Sequence, residues 1–477
     1  MQFNNTYLNQ FAEFCHQQSP NGLTQPKLVA VNPDLAEFLN IPADFLNQDD
    51  FVQVFSGNKL IQGMQPNAQK YTGHQFGQYN PQLGDGRGLL LGEVIAQDNQ
   101  SWDLHLKGSG ITPFSRGGDG RAVLRSSIRE FLASEALFNL GIPTSRALAL
   151  TTGEDAVYRE TEEKAAMVTR VCPSHIRFGH FEYFYYTQQK DELKNLVEFT
   201  IQHHFPDCAQ AENPTYAFLQ QVVKNTAEMV AKWQAFGFCH GVMNSDNMSI
   251  LGITFDYGPY AFMDAYQSNY ICNHSDHTGR YAYNKQPNIA LWNLNCLAHA
   301  LSDLLPVEDL REILTQYETL FVNAYAELMR AKLGLMTTQK EDQNLVAQLL
   351  VVMEENQLDW TNTFRFLSNT LEQAELLAWF GATEKSTEWI NAYKRRLSLE
   401  KLSCEQRFEN MKKVNPKFIL RNYLVQQAIE AAESGDYNLV NQLFELLKNP
   451  FAEQETFQHF AQNPPEWAQE IQISCSS

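Results

Sequence analysis

The segment HGVMNSDNMSILGITFDYGP, residues 240–259, is the most informative part of the chain. Asn247 and Asp256 stand nine residues apart within it, and the strand-like segment SILGITF lies between them. Because Mg²⁺ and Mn²⁺ prefer oxygen ligands such as amides and carboxylates, these two residues are predicted to hold a divalent metal ion. Asp246, directly before Asn247, is the candidate general base. The alternative interpretation of any single Asp-Asn pair is an ordinary turn.

Length and charge exclude several classes of protein. The chain has 477 residues, whereas a typical domain has about 150, so more than one folded unit is expected. The net charge of −19 argues against neutralisation of nucleic-acid phosphates as the main role. No apolar run reaches the roughly 18 residues that cross a bilayer, and residues 1–20 lack the features of signal and transit peptides. We therefore expect a cytoplasmic protein that binds neither nucleic acid nor membrane, with a monomer as the default state.

The order of predicted elements divides the chain into regions. The segments LLLGEVI, SWDLHLK, SRALALTT, AVYRE and AAMVTRVCP are strand candidates, and they surround one helix candidate. Apolar residues near one face of that helix are Leu124, Ile128, Phe131 and Phe138. Amphipathic helices dominate afterwards, up to LRNYLVQQAIEAAESGDYNLVNQLFELL. We predict an α+β fold with a strand-rich N-terminal lobe, a helical C-terminal lobe and a helical extension. The predicted boundaries are 1–172, 173–400 and 401–477.

A lysine and a glutamate in the first region form a candidate phosphate-binding pair. Lys107 ends the strand candidate WDLHLK, and Glu130 lies 23 residues later, inside the helix candidate. Such a pair holds the lysine against nucleotide phosphates, so its members must come from adjacent elements. Glu135 lies on a different face of the same helix, and spacing alone does not choose between the two glutamates. The alternative interpretation is a lysine and a glutamate on the surface.

Two glycine-rich segments flank Lys107. GDGRG, residues 84–88, precedes one strand candidate, and GSGITPFSRGGDG, residues 108–120, follows another. Without Cβ atoms, a glycine backbone can approach phosphate oxygens and present its N–H groups, and Arg87 adds a fork of donors. Most single glycine clusters are turns, but two clusters on either side of a candidate phosphate-binding lysine indicate a nucleotide pocket.

This order of parts resembles that of a protein kinase. A strand-rich part precedes a helical part, and a loop that begins with His-Gly stands at the start of the second. Asn247 then corresponds to the asparagine of a kinase catalytic loop, and Asp256, in the triplet Asp-Tyr-Gly, to the aspartate of its metal-binding triplet. The carboxylate expected just after His-Gly is absent, because Val242 and Met243 stand there.

Longer segments resemble the selenoprotein O family, which consists of protein adenylyltransferases with a pseudokinase fold. The resemblance runs through YTGHQFGQYNPQLGDGRG, LHLKGSGITPFSRGGDGRAVLRSSIREF, HGVMNSDNMSILGITFDYGP and KFILRNYLVQQAIEAAESGDY. It therefore covers essentially the whole chain. Animal members of the family carry selenocysteine third from the end, whereas this chain has Cys475 there, as bacterial members do.

The resemblance implies a kinase-like fold in which ATP lies flipped, so that its α-phosphate meets the acceptor hydroxyl. AMP would then be transferred to Ser, Thr or Tyr of a protein substrate, and pyrophosphate would leave. Asp246 would accept the hydroxyl proton, and Asn247 and Asp256 would hold Mg²⁺ or Mn²⁺. The residues implied at the ATP site are Gly84, Gly86, Arg87, Lys107, Asp119, Gly120, Glu130, Arg170, Arg177 and Asp256, of which Glu130 would pair with Lys107.

Cysteine usage suggests redox control. None of the eight cysteines forms a CxxC pair, so a zinc site is not indicated. Cys475 lies third from the C-terminus, and Cys272 lies where kinases keep their activation segment. A disulfide between them would tie the tail across the site, and cytosolic disulfides are usually regulatory or catalytic.

Three alternatives stay open at this point. An ordinary kinase would use the same ATP site but release ADP. An inactive pseudokinase scaffold would bind nucleotide without transfer, although it has no need for a complete metal site. UMP transfer from UTP is also open, because no residue in these motifs visibly reads the base.

Overall fold

The computed structural model describes residues 2–474 of the chain. One large antiparallel sheet and many helices give a mixed α and β architecture, in agreement with the predicted class. Cys475 lies outside the described residues, so its pairing with Cys272 stays a prediction.

Most strands lie in the first 172 residues. They are β1 Phe3–Asn4, β2 Cys15–Gln17, β3 Lys27–Val31, β4 Asn67–Gln69, β5 Gly73–Gln75, β6 Gln78–Asn80, β7 Gly88–Ile95, β8 Ser101–Lys107, β9 Ala122–Val123, β10 Arg146–Tyr158 and β11 Glu162–Cys172. The later strands are β12 Phe238–Cys239 and β13 Ala261–Phe262.

The large sheet has the order β2-β4-β7-β8-β11-β10-β3, with β1 beside β7 and β9 beside β11. Strand β8 shows how its sequence builds two faces, because successive side chains of a strand point to opposite sides. Leu104 and Leu106 pack with Phe51 in one apolar core. The alternate residues His105 and Lys107 therefore face the other side of the sheet.

Four helices lie among the strands of the first part, namely α1 Thr6–Gln10, α2 Pro33–Phe38, α3 Asp49–Phe55 and α4 Leu124–Asn139. The helical part continues with α5 Phe178–Tyr186, α6 Lys190–His204, α7 Pro214–Ala235, α8 Gln286–Ala300, α9 Val307–Lys332, α10 Asp342–Glu355, α11 Trp360–Leu367, α12 Gln373–Phe380, α13 Glu384–Leu397, α14 Cys404–Lys412, α15 Asn422–Glu433 and α16 Asn438–Leu447. Within residues 2–474, no helix is both long enough and apolar enough to span a bilayer.

Three local predictions were wrong in detail. SRALALTT and AVYRE belong to one strand, β10, whose register against β11 shifts between Thr152 and Ala156 without ending the pairing. The late helix candidate is two helices, α15 and α16, separated at Gly435, whose φ of +94° does not fit a helix. Phe138 is 47% exposed at the end of α4, because its ring lies under the guanidinium group of Arg146 and not in the core.

The C-terminal region packs back onto the first part of the chain. Helices α15 and α16 both contact α4, and Phe131 of α4 lies 5.3 Å from Phe444 of α16, measured between ring centres. Asn441 of α16 also donates from Nδ2 to the backbone oxygen of Val29 in β3, at 3.0 Å. One apolar core therefore includes α4 together with the later helices.

Candidate active site

A cavity of about 530 Å³ brings together the sheet, both glycine-rich segments and the loop over residues 240–259. The predicted site residues that line it are Gly84, Gly86, Arg87, Lys107, Asp119, Gly120, Arg170, Arg177, Asn247 and Asp256. Glu130 and Asp246 lie just behind its wall, where they contact the lining residues Lys107 and Gln75. Residues from both halves of the chain thus meet at one place.

Lys107 and Glu130 form a buried ion pair. Lys107 is the last residue of β8, where its backbone lies opposite Gly88 of β7 and Val168 of β11. Its Nζ contacts Oε2 of Glu130 on α4, and both side chains are almost fully buried. Burial lowers the pKa of Lys107 to about 8, against the opposing effect of the Glu130 charge.

Arg170 of β11 binds the other oxygen of the same glutamate. Its Nε contacts Oε1 of Glu130, so the carboxylate is held between two cations. Burial raises the pKa of Glu130, but Arg170 and Lys107 outweigh burial and lower the pKa to about 2. Glu135, the other candidate partner of Lys107, instead binds Arg146 through two contacts of 2.7 and 2.6 Å.

Asp256 is held by two arginines. Arg170 NH1 lies 2.7 Å from its Oδ1, and Arg177 contacts its Oδ2. Burial alone would raise the pKa of Asp256, but Arg177 and Arg170 hold it far below its usual range. The backbone of Asp256 has a φ of +58°, in the left-handed region that aspartate tolerates better than most residues. The guanidinium group of Arg177 is itself fixed between the rings of Tyr71 and Phe255.

Asp246 lies on a single 3₁₀ turn, Ser245–Asn247. Its Oδ2 accepts a hydrogen bond from Nε2 of Gln75 at 3.0 Å, and its backbone oxygen accepts one from Arg177 at 2.6 Å. Its Oδ1 is buried and has no hydrogen-bond partner in residues 2–474. Burial raises the pKa of Asp246 to about 7, which suits a group that exchanges a proton near neutral pH.

The chemistry of Asn247 and Asp256 fits a divalent metal ion. Asn247 donates from Nδ2 to the backbone oxygen of Val242 at 3.1 Å, which leaves its carbonyl oxygen as an acceptor. A carboxylate offers about four lone-pair sites, so the arginine contacts of Asp256 do not exhaust it. Among the described residues, no group of three or more His, Cys, Asp or Glu side chains is arranged to hold a metal ion. This sparse set fits Mg²⁺, which usually takes one or two protein ligands with waters and substrate phosphates.

The glycine-rich segments lie where a side chain would not fit. A Cβ atom on Gly84, whose φ is +145°, would come within 2.5 Å of the ring of Phe114. A Cβ atom on Gly120, whose φ is +66°, would come within 2.1 Å of the backbone of Gly110. Both positions therefore require glycine, and both leave backbone exposed to the cavity.

Several lining residues were missed by the sequence analysis. Arg159 binds both oxygens of Asp119, at 2.7 and 2.9 Å, although nothing in AVYRE indicates a pocket residue. Arg116 and Arg121 belong to the second glycine-rich segment or follow it directly, so their position was a usable signal. Gln75 lies in YTGHQFGQYNPQLGDGRG, where the sequence points only to Gly84, Gly86 and Arg87 near the end of the segment.

The cavity is strongly cationic in an acidic protein. Seven lining residues carry positive charge, namely Arg87, Lys107, Arg116, Arg121, Arg159, Arg170 and Arg177. Three carry negative charge, namely Asp85, Asp119 and Asp256. This local excess contrasts with the net charge of −19 for the chain. A cavity of this kind suits a small polyanion such as a nucleoside triphosphate.

Comparison with known proteins gives a family match. A model of the family described as "Protein adenylyltransferase SelO" matches residues 1–448. Curated relatives carry the name "Protein nucleotidyltransferase YdiU".

The match extends over the full length of these relatives. The protein from Pseudomonas aeruginosa (strain LESB58) is 51% identical over 480 residues, which cover 100% of this chain and 99% of the relative. The protein from Ectopseudomonas mendocina is 50% identical over 486 residues, covering 99% of each chain. The protein from Erwinia tasmaniensis is 48% identical over 481 residues, covering 100% of each chain.

Proposed function

The chain belongs to the family of the protein adenylyltransferase SelO, a nucleotidyltransferase family, and we propose that it transfers AMP from ATP to Ser, Thr or Tyr hydroxyls of protein substrates. The observation that carries this proposal is the cationic cavity, in which Lys107, Arg170 and Arg177 line the same space as Asn247 and Asp256. Phosphoryl chemistry depends mostly on positioning and charge stabilisation, and this set of side chains supplies both.

The architecture proposed for this reaction is a kinase-like bilobal fold with boundaries at 1–172, 173–400 and 401–477. Support comes from β11, which ends at Cys172 and is the last strand of the large sheet in chain order. The cavity receives residues from both sides of that boundary. Cytoplasmic location and a monomeric state stay predictions.

Cationic side chains hold the phosphates of ATP. Lys107, Arg170 and Arg177 bind phosphate oxygens, and Glu130 keeps Lys107 and Arg170 in place. The backbone at Gly84, Gly86 and Gly120 lets the nucleotide approach closely, with Arg87 and Asp119 at the same wall. The reactive α-phosphate faces Asp246. Support for this arrangement is that the phosphate-binding residues and the loop that carries Asp246 line the same cavity.

Asn247 and Asp256 would hold the divalent metal ion, Mg²⁺ or Mn²⁺. When bound, such an ion neutralises charge on the phosphate oxygens and favours departure of pyrophosphate. Arg170 and Arg177 fix the orientation of the Asp256 carboxylate, since each of them binds one of its two oxygens.

The acceptor hydroxyl oxygen uses a lone pair to form a bond to the α-phosphorus of ATP. The bond from that phosphorus to the oxygen that bridges to the β-phosphorus breaks, and pyrophosphate leaves with the electron pair. Asp246 accepts the hydroxyl proton. Asp246 is held in place by its hydrogen bond from Gln75 and by the contact of its backbone oxygen with Arg177.

Tail regulation through Cys272 and Cys475 is part of the proposal. Cys272 is buried and lies two residues before His274, whose backbone N–H donates to the backbone oxygen of Ile473 at 2.7 Å. The end of the described chain thus approaches the segment that carries Cys272. Two cysteines free of a disulfide in mass spectra of the oxidised protein would contradict this regulation.

The test of the proposed function uses ATP labelled with ³²P at either the α or the γ position. Adenylyl transfer places the α-label on protein and releases the γ-label in pyrophosphate. A kinase gives the reverse result, with the γ-label on protein and ADP in solution. Incubation with α-labelled UTP in parallel distinguishes UMP transfer, and nucleotide binding without any protein label would identify a scaffold.

A further inference from the structure

A two-stranded hairpin lies directly on the loop that carries Asp246. The hairpin consists of β5 and β6, residues 73–80, and we refer to it as the 73–80 hairpin. The backbone N–H of His74 donates to Oγ of Ser245 at 2.7 Å. Gln75 donates to Asp246, and the backbone N–H of Phe76 donates to Oδ1 of Asn244 at 3.2 Å. Consecutive hairpin residues thus bind neighbouring residues of the loop.

Further contacts hold the hairpin in place. Nδ1 of His74 lies 2.5 Å from Oε2 of Glu182, whose side chain is fully buried. Nδ2 of Asn80 donates to Oε1 of Gln75 at 3.3 Å, which turns the NH₂ group of Gln75 toward Asp246. A Cβ atom on Gly73 would come within 2.8 Å of the Cβ atom of Asp246, so the two segments are in close contact.

Phe76 has an unusual conformation at the tip of this hairpin. Its φ is +50°, in the left-handed region that favours Gly, Asn and Asp. Its N–H is fixed by two acceptors, because Tyr281 Oη also accepts from it, at 3.0 Å. Even so, 43% of the residue is exposed, and it lines the same cavity as Asn247. The ring packs against that of Tyr281, with 5.1 Å between the ring centres, so it is held in place with part of its surface facing the cavity.

We propose that the 73–80 hairpin is the acceptor side of the active site and that the Phe76 ring contacts an apolar side chain next to the hydroxyl that is modified. This inference rests on the proposed function, since it supposes a protein acceptor at Asp246. Phe76 and Gln75 line the same cavity, and Gln75 binds Asp246, so a peptide segment that reaches the base would pass the Phe76 ring. The partner is therefore an exposed segment in which an aliphatic or aromatic residue flanks a Ser, Thr or Tyr.

The test measures transfer to a positional peptide library with one central Ser, Thr or Tyr. The enzyme is the full-length protein, each nucleoside triphosphate is supplied separately, and the transferred group is read by mass. Phe76→Asn removes the ring but suits the left-handed backbone, and Phe76→Tyr keeps a ring. Phe138→Ala is the matched control, because Phe138 is similarly exposed, at 47%, and does not line the cavity.

The wild type is expected to prefer apolar residues beside the hydroxyl. Phe76→Asn is expected to lose this preference and to raise KM for the best peptides at least about tenfold, while ATP binding stays unchanged. Phe76→Tyr and Phe138→Ala are expected to behave like the wild type.

Two results would overturn the inference. One is an unchanged preference and KM in Phe76→Asn. The other is a wild type that labels itself but labels no peptide, a result that would leave the proposed function standing. Transfer of UMP or phosphate in place of AMP would contradict the proposed function. The effect of the Phe76 variants on peptide preference would then be measured with the group that is transferred.

Discussion

Lys107 binds Glu130 inside the protein, and both side chains of this pair are almost fully buried. Removing one member of a buried ion pair usually costs about 3–5 kcal/mol, because the other charge is left without compensation. Glu130→Gln is therefore expected to lower the melting temperature and, by freeing Lys107 and Arg170, to weaken ATP binding about tenfold or more. Thermal unfolding and calorimetric titration with ATP measure the two effects.

Glu135→Gln is the matched control for that variant. Glu135 lies on the same helix and is equally buried, but its partner is Arg146, outside the cavity. It is expected to lower stability without changing ATP affinity. Equal losses of ATP affinity in the two variants would show that Glu130 acts only through the fold.

Gln75 is expected to act as a positioning residue for Asp246. Gln75→Leu removes the hydrogen bond to the carboxylate and is expected to lower kcat about 10- to 100-fold. The KM for ATP and the melting temperature are expected to stay the same, a split that a purely structural role would not produce. Gln78→Leu, on the exposed opposite strand of the 73–80 hairpin, serves as the control. A drop in kcat of the same size in both variants would argue against positioning by Gln75.

Metal removal is expected to stop transfer. Chelation with EDTA should abolish labelling, and added Mg²⁺ or Mn²⁺ should restore it. Asn247→Ala removes one proposed ligand and is expected to raise the metal concentration for half-maximal activity about tenfold. Asn225→Ala, outside the cavity, should leave the metal titration unchanged. If the metal titration curve of Asn247→Ala coincides with that of the wild type, Asn247 is not a metal ligand.

Lys332 gives a prediction about stability and pH. It ends α9 almost fully buried, with Nζ 4.9 Å from the ring centre of Phe236 and 4.5 Å from that of Phe364. No carboxylate among residues 2–474 offsets the effect of burial on this lysine. Burial lowers its pKa from 10.5 to about 7. The unfolded state therefore binds the proton more tightly, and the cost of burying Lys332 is full below the folded pKa and fades as pH rises toward 10.5.

Lys332→Met is expected to stabilise the protein by about 1–2 kcal/mol at neutral pH. The gain should shrink as the pH rises toward the ordinary lysine pKa, because the wild-type lysine is then neutral in both states. Denaturant unfolding at several pH values measures the difference. A gain that is independent of pH would show that Lys332 is not buried as a charge.

Much of the candidate site could be predicted from the spacing of residues that are close in sequence. Asn247 and Asp256 are close in sequence and lie in one loop, and Lys107 and Glu130 lie on elements that follow each other in the chain. Alternation in β8 also places the apolar residues Leu104 and Leu106 in the core, away from Lys107. Such short-range patterns are set by backbone geometry, which the sequence shows directly.

Long-range contacts could not be predicted from these patterns. Gln75 meets Asp246 across a separation of 171 residues, and no periodicity in either segment encodes that contact. Arg159 reaches the cavity only because β10 continues through its register shift as a single strand. The packing of α15 and α16 on α4 depends on how the whole chain folds back. Tertiary packing, and not local propensity, decides all three.

The most direct test of the account is the intact mass of the protein after incubation with ATP and Mg²⁺ or Mn²⁺, with Asp246→Asn and Asp256→Ala in parallel. An AMP-sized increase is expected in the wild type and in neither variant, with nucleotide binding retained in Asp246→Asn. A phosphate-sized increase in the wild type, or an AMP-sized increase that persists in both variants, would contradict the account.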